Sequence, residues 1–154
     1  QAEYPGSIPG TRSKQFLKLL ASWTSPARTL QPKIKEHPMT ITRIGIGKRM
    51  SQAVIHNGVA YLAGIVAENT RGQSVLDQTK EVLAEIDRIL AEAGSDKTKI
   101  LKANIWLTDM ATFGQMNEAW DGWVAQGHTP ARATVESKLA ASGYDVEIMV
   151  EAAV

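Results

Sequence analysis

The chain has 154 residues, 44% hydrophobic and 21% charged, with a formal net charge of +1; this suits one domain around one core and is neither a disordered nor a fibrous composition. It contains no cysteine, which excludes disulfides, cysteine-based zinc sites and thiol nucleophiles, and no apolar run approaches the roughly 20 residues that span a bilayer. Residues 1–38 hold six Lys or Arg against Glu3 and Glu36, and the remainder holds 11 basic against 14 acidic residues, so the acidic body makes nucleic acid the weakest class of partner.

The first 38 residues also differ in texture, with five of the six prolines and no hydrophobic period beyond "FLKLLASW". We set 1–38 apart as a cloning-derived or upstream-translated extension, with a transit peptide or an arm docking on a neighbour as the alternatives. Met39 then reads as a native start, and the fold is expected over 39–154. A soluble, cytoplasmic protein is expected, with organelle import only if the extension is a native transit peptide.

"MTITRIGI" (39–46) alternates and predicts a strand. "SQAVIHNGVAYLAGIV" (51–66) predicts two more, joined at Asn57-Gly58, a dipeptide that tolerates the positive φ angles of a tight hairpin. After a polar loop, Val75, Thr79, Val82, Ile86, Ile89 and Ala93 recur at steps of three and four. That is the buried face of a helix entered at Ser74, with Asp77 near its start and Gly94 to end it. "ILKANIWLTD" (100–109) suits a buried strand. Phe113, Met116, Trp120 and Trp123 or Val124 then mark a second helix closed by Gly127, its aromatic stripe read as core. Arg132–Glu136 and Val146–Ala153 complete two strands, with Glu147, Met149 and Glu151 on one face of the last and Val146, Ile148 and Val150 on the other.

The predicted order is βββαβαββ, an α+β fold with two helices on one face of a single mixed sheet. The other face needs a cover, and strands such as "VAYLAGIV" are apolar on both sides. Oligomerisation through the uncovered face is therefore expected.

Phosphate loops, His-Glu helix motifs and nucleophile elbows are missing, and His37, His56 and His128 are too far apart in sequence for ligand spacing. The histidines are read as surface residues. Metal-free, cofactor-free chemistry built on an arginine and carboxylates remains. Arg132 follows Pro130-Ala131 at the mouth of a strand, where a guanidinium can hold a carboxylate by two parallel hydrogen bonds. Glu147 opens the last strand, where a carboxylate beside substrate could orient or deprotonate water.

Several pieces in order, "MSQA" (50–53), "NGVAYLAG" (57–64), the Phe113/Met116-Asn117/Trp120 helix, "PARATVE" (130–136) and "VEI" (146–148), resemble the Rid (YjgF) family of reactive-intermediate deaminases, and most closely its YoaB-type members. The resemblance covers the body and none of residues 1–38. It implies a chorismate-mutase-like α+β fold assembled as a homotrimer, with the sheets packed inside and clefts between subunits. In deaminating members an arginine grips the carboxylate of a 2-imino acid, and a glutamate on the last strand helps water add to the imine carbon. Carried over, Arg132 matches the arginine, Asn117 an asparagine of the cleft, and Glu147 the acid; a register two residues later would place Met149 there instead. Three cleft positions depart from the family: Met50 stands for an aromatic residue, Ala63, before Gly64, for a serine, and Thr134 for a cysteine.

Two functions follow as expectations. One is hydrolysis of 2-imino or enamine acids such as 2-iminopropanoate or 2-iminobutanoate to 2-oxo acids and ammonia. The other is a non-catalytic module that binds a carboxylic metabolite at a trimer interface, a possibility to which Met50 and Ala63 lend weight.

Overall fold

Strand pairing accounts for most of the architecture in the computed structural model, which describes residues 40–154; the extension 1–38 and the expected start of the body at Met39 lie outside the described residues. Strands β1 (Thr42–Ile46), β2 (Ser51–His56), β3 (Val59–Leu62) and β4 (Ile65–Val66) precede helix α1 (Val75–Glu92), and β5 (Ile100–Leu107), helix α2 (Phe113–Trp123), β6 (Ala131–Glu136) and β7 (Val146–Ala153) follow. Short 3-10 turns at Lys97–Lys99 and Met110–Thr112 lead into β5 and α2. The strands form one mixed sheet in the order β1-β2-β3-β7-β5-β6, with β4 beside β7. Among the described residues only β5 and β6 pair in parallel, as a strand–helix–strand crossover through α2 requires.

Local chemistry explains the boundaries. Asn57 (φ 50°) and Gly58 (φ 75°) form the hairpin turn between β2 and β3, closed by the His56–Val59 pair, and both need the left-handed region that this turn type demands. Ser74 caps α1 by accepting the N–H of Asp77 at 3.1 Å. At the other end Gly94 (φ 77°) reverses the chain, and the N–H of Ser95 returns to the carbonyl of Leu90 at 2.8 Å, a C-cap that glycine makes possible.

Val75, Thr79, Val82, Ile86, Ile89 and Ala93 are all buried, as the periodicity predicts, together with Leu83 and Leu90. They pack with Met116 and Trp120 of α2 against Ala103, Ile105 and Leu107 of β5 and Val146, Ile148 and Val150 of β7. Each Val, Leu or Ile removed from water this way contributes roughly 1.5–3 kcal/mol. Both helices lie on one side of the sheet. The other side presents Tyr61 and Val135, each nearly half exposed, with Trp106 and Met149 partly covered.

Three expectations need correction. The third predicted strand is interrupted at Ala63-Gly64: the chain makes its last bond to β2 there, Ala63 N–H to Gln52 O at 2.9 Å, and β4 continues on β7 alone. Helix α2 stops at Trp123, short of Gly127. Val124 takes extended geometry (ψ 137°) and is buried, while Gly127 (φ 79°) serves a separate turn closed by His128 N–H to Ala125 O. His128 is exposed, but His56 is half-buried on β2, with Nδ1 buried and without a hydrogen-bond partner among the described residues.

Glu81 ties the loop after β4 to α1. Its carboxylate accepts the N–H and side-chain amide of Asn69, both at 2.9 Å, and the N–H and hydroxyl of Thr70, both at 2.7 Å. Desolvation would raise its pKa, but these four donors outweigh it and lower the pKa from 4.5 to about 2. A depressed folded-state pKa stabilises the fold fully above the unfolded value of about 4.5 and ceases to do so as pH falls towards about 2. Glu81→Gln should therefore flatten the pH dependence of the melting temperature in that window, as thermal melts between pH 2 and 7 would show.

Candidate functional site

Arg132 stands on edge strand β6, two residues after Pro130, which disfavours helix in the residue before it. Its Nη1 donates to Oδ1 of Asn117 at 2.9 Å, and its guanidinium carbon lies 5.2 Å from the ring centre of Trp120 and 5.9 Å from that of Phe113. Phe113, Asn117 and Trp120 fall at steps of four and three on α2, so one helix face supplies both the aromatic support and the amide. Ring faces attract a cation without neutralising it. Among the described residues no carboxylate pairs with Arg132 within 4.0 Å. Arg88, by contrast, is bound to Glu85, Glu92 and Gln52, and Arg71 to the carbonyl of Ser142 and the ring of Tyr144. Arg132 is exposed, positioned and charged, with most of its donors unspent.

Thr134, two residues further along β6, shares that face. Its hydroxyl oxygen is buried and has no hydrogen-bond partner among the described residues, so the hydroxyl is turned away from solvent.

The second group surrounds the break between β3 and β4. A Cβ built on Gly64 would fall 1.9 Å from Oε1 of Glu147 and 2.9 Å from its Cδ; the carboxylate occupies the space that any other residue at 64 would fill. Glu147 is held from both sides, opposite Val66 on β4 and Trp106 on β5. Met149 shares its face but lies roughly 7 Å further along the strand, and Glu147 is the residue that meets Gly64. Beside this contact a cleft of about 550 Å³ runs between the start of β2 and α1, lined by Met50, Ala63, Gly64 and Val66 on one side and Glu81, Glu85 and Arg88 on the other. Met50 is more than half exposed at its rim. Neither Arg132 nor Glu147 lines the cleft.

The two groups do not converge within one copy. β5 pairs with both β6 and β7, placing Ala103 opposite Arg132 and Trp106 opposite Glu147. Three residues apart on a strand, Ala103 and Trp106 face opposite sides of the sheet. Arg132, Asn117 and Thr134 thus belong to the helix-covered side, and Glu147 to the open side. The alternation along a single strand carries no information on this.

The Endoribonuclease L-PSP family matches residues 40–154, the whole of the described fold. The chain belongs to this family. It is 51% identical over 112 residues to a RutC family protein of Haemophilus influenzae, covering 73% of this chain and 97% of the relative. It is 47% identical over 116 residues to the RutC family protein YoaB of Escherichia coli, covering 75% of this chain and all of the relative. A crystal structure of a YjgF family member from Neisseria meningitidis superimposes with a TM-score of 0.73 at 49% identity, covering 76% of this chain and 97% of that one. At greater distance, 32% identity over 103 residues connects it to a rat protein named 2-iminobutanoate/2-iminopropanoate deaminase, covering 64% of this chain and 74% of that one. The resemblance to YjgF proteins, and to YoaB in particular, therefore stands, as does the single mixed sheet with two helices.

Trp120 and Phe113 have a second use that the sequence concealed. Their helical spacing marks them as core, and Trp120 is buried, yet their rings also support the guanidinium of Arg132. Among the described residues no group of three or more His, Asp or Glu is arranged to hold a metal ion, and no helix is long and apolar enough to cross a membrane.

Proposed function

We propose that the protein hydrolyses small 2-imino or enamine acids, such as 2-iminopropanoate and 2-iminobutanoate, to 2-oxo acids and ammonia, in clefts between copies of a homotrimer. The observation that carries this reading is Arg132, a guanidinium fixed by a neutral amide and two aromatic rings with no carboxylate of its own. Such a group is suited to gripping a substrate carboxylate by paired hydrogen bonds, with Asn117 orienting it. Glu147 of another copy takes a proton from water as the oxygen bonds to the imine carbon, and returns that proton to the nitrogen as the C=N double bond becomes single. In the resulting carbinolamine the hydroxyl proton passes to the nitrogen by the same carboxylate, the C–N bond breaks, and the 2-oxo acid and ammonia are left. Because Arg132 and Glu147 face opposite sides of one sheet, a second copy is the simplest way to bring them together, and the uncovered face with Tyr61, Trp106, Met149 and Val135 gives that copy an apolar surface to bury. The name of the rat relative points to the same substrates.

The test is loss of imine generated in situ by a serine or threonine dehydratase. An imine lifetime unchanged by the protein rejects the reading. A second measurement probes Gly64. Glu147 can rotate away from an added methyl at a cost of about 0.5–1.5 kcal/mol, so Gly64→Ala should melt near the wild-type temperature. Its kcat should nevertheless fall about tenfold or more as the carboxylate is displaced.

Met50 and Ala63 favour a second reading, because neither offers a side-chain hydrogen bond to the cleft. In a pure binding module a 2-oxo acid raises the melting temperature of the wild type and not of Arg132→Ala, while the imine assay stays flat. Ribonuclease activity, which the family description names, would need a basic groove with stacking aromatics, whereas the body carries an excess of acid.

A further inference from the structure

The chain segments that carry Gly64 and Glu147 diverge just beyond their contact. β4 ends at Val66, opposite Glu147; from there one segment runs through residues 67–74 into α1, and the other arrives from the loop 137–145. A pair of strands ending this way frays unless something closes it. An outer layer of exposed contacts does so in part. Gly72 N–H donates to Gly143 O at 2.8 Å, Arg71 lies 4.3 Å over the Tyr144 ring, and the Tyr144 hydroxyl donates to Glu68 at 2.8 Å.

Beneath that layer is a buried carboxamide. Gln78, in the first turn of α1, is wholly buried. Its Oε1 accepts the N–H of Asp145 at 2.9 Å, and its amide group donates to Gln73 O at 3.0 Å and to Gly143 O and Asp145 Oδ2 at 3.2 Å each. Thr108, at the end of β5, holds Asp145 from the other side: its hydroxyl donates to Oδ1 at 2.8 Å and its N–H to the Asp145 carbonyl at 3.1 Å. Every polar atom of Asp145 is engaged, two residues before Glu147. Water readily replaces exposed partners, but a buried network that loses one member leaves the others unsatisfied.

We propose that Gln78 is a positioning residue for Glu147: through Asp145 it fixes where β7 begins, and so holds the Glu147 carboxylate against Gly64. The inference rests on the assignment of Glu147 to the water step. Small displacements of a reacting group are expensive, so Gln78→Met, close in size but without hydrogen bonds, should lower kcat about tenfold or more with KM within about twofold of wild type. In a Glu147→Gln background the same substitution should have no further effect on rate, because the residue it positions is already disabled. Losses that multiply in the double variant, or an unaltered kcat in Gln78→Met, would overturn the proposal. If Gln78→Met does not fold, Thr108→Val, which removes one bond to Asp145, is scored in the same way. A wild-type rate in Glu147→Gln would instead overturn the functional assignment, and amide exchange at residues 145–147 then tests the clamp alone. Faster exchange there in Gln78→Met than in the middle of β5 supports it, and unchanged exchange rejects it.

Discussion

Arg132→Ala should raise KM for the imino acid by about a hundredfold and leave kcat within a few-fold of wild type. Hydrogen bonds to a charged partner are worth about 1.5–3 kcal/mol each, so losing two removes roughly 3 kcal/mol, and each 1.4 kcal/mol is tenfold. The carboxylate does not change charge as water adds at the neighbouring carbon, so the grip is similar in the bound substrate and the transition state. An interaction of that kind appears in KM rather than kcat. Arg132→Lys keeps the charge but not the planar fork and should recover only part of the loss. Arg132 is exposed on an edge strand, so neither variant should unfold the protein, and a thermal melt provides the control. Initial rates over a range of imine concentrations separate the two constants. A wild-type KM in Arg132→Ala would mean that the carboxylate is gripped elsewhere.

The helices and most strands were legible because their side-chain periods are set by burial on one face: the six positions named for α1 are all buried, and β7 alternates buried and half-buried residues along its whole length. The hairpin at Asn57-Gly58 was legible because the turn demands two residues at positive φ. The close contact at Gly64 was not, since the carboxylate that fills its space belongs to Glu147, more than 80 positions later. Arg132 and Glu147 could be named by residue type and by resemblance, but the side each faces depends on how β6 and β7 register against β5, which a single strand's alternation leaves open. Gln78 gave no signal at all. On the buried face of α1 it reads as a polar interruption, and its purpose emerges only when Asp145 and Thr108 are brought to it.

Glu147→Gln should lower kcat by about two to four orders of magnitude with little change in KM, the usual range for removing a positioned proton carrier. Glutamine keeps the size and one acceptor oxygen, so the contact with Gly64 survives and only the proton transfer is lost. Mixing adds a more searching result. If the arginine and the glutamate of each site come from different copies, oligomers formed from equal amounts of Arg132→Ala and Glu147→Gln contain some sites in which both contributing side chains are native. Random assembly gives each site two independent even chances, so at imine concentrations well below the wild-type KM, where the raised KM of one variant and the low kcat of the other leave each preparation nearly inactive, about one quarter of wild-type activity should return. Co-refolding the two variants, or co-expressing them under separate tags, and following imine loss would measure this. A mixture that stays inactive, although both variants are folded and exchange subunits, would show that the two residues do not meet across an interface. The opposed orientations on β6 and β7 would then have to be bridged by movement within one copy, and the edge position of β6, paired on one side only, makes it the strand with the freedom to move.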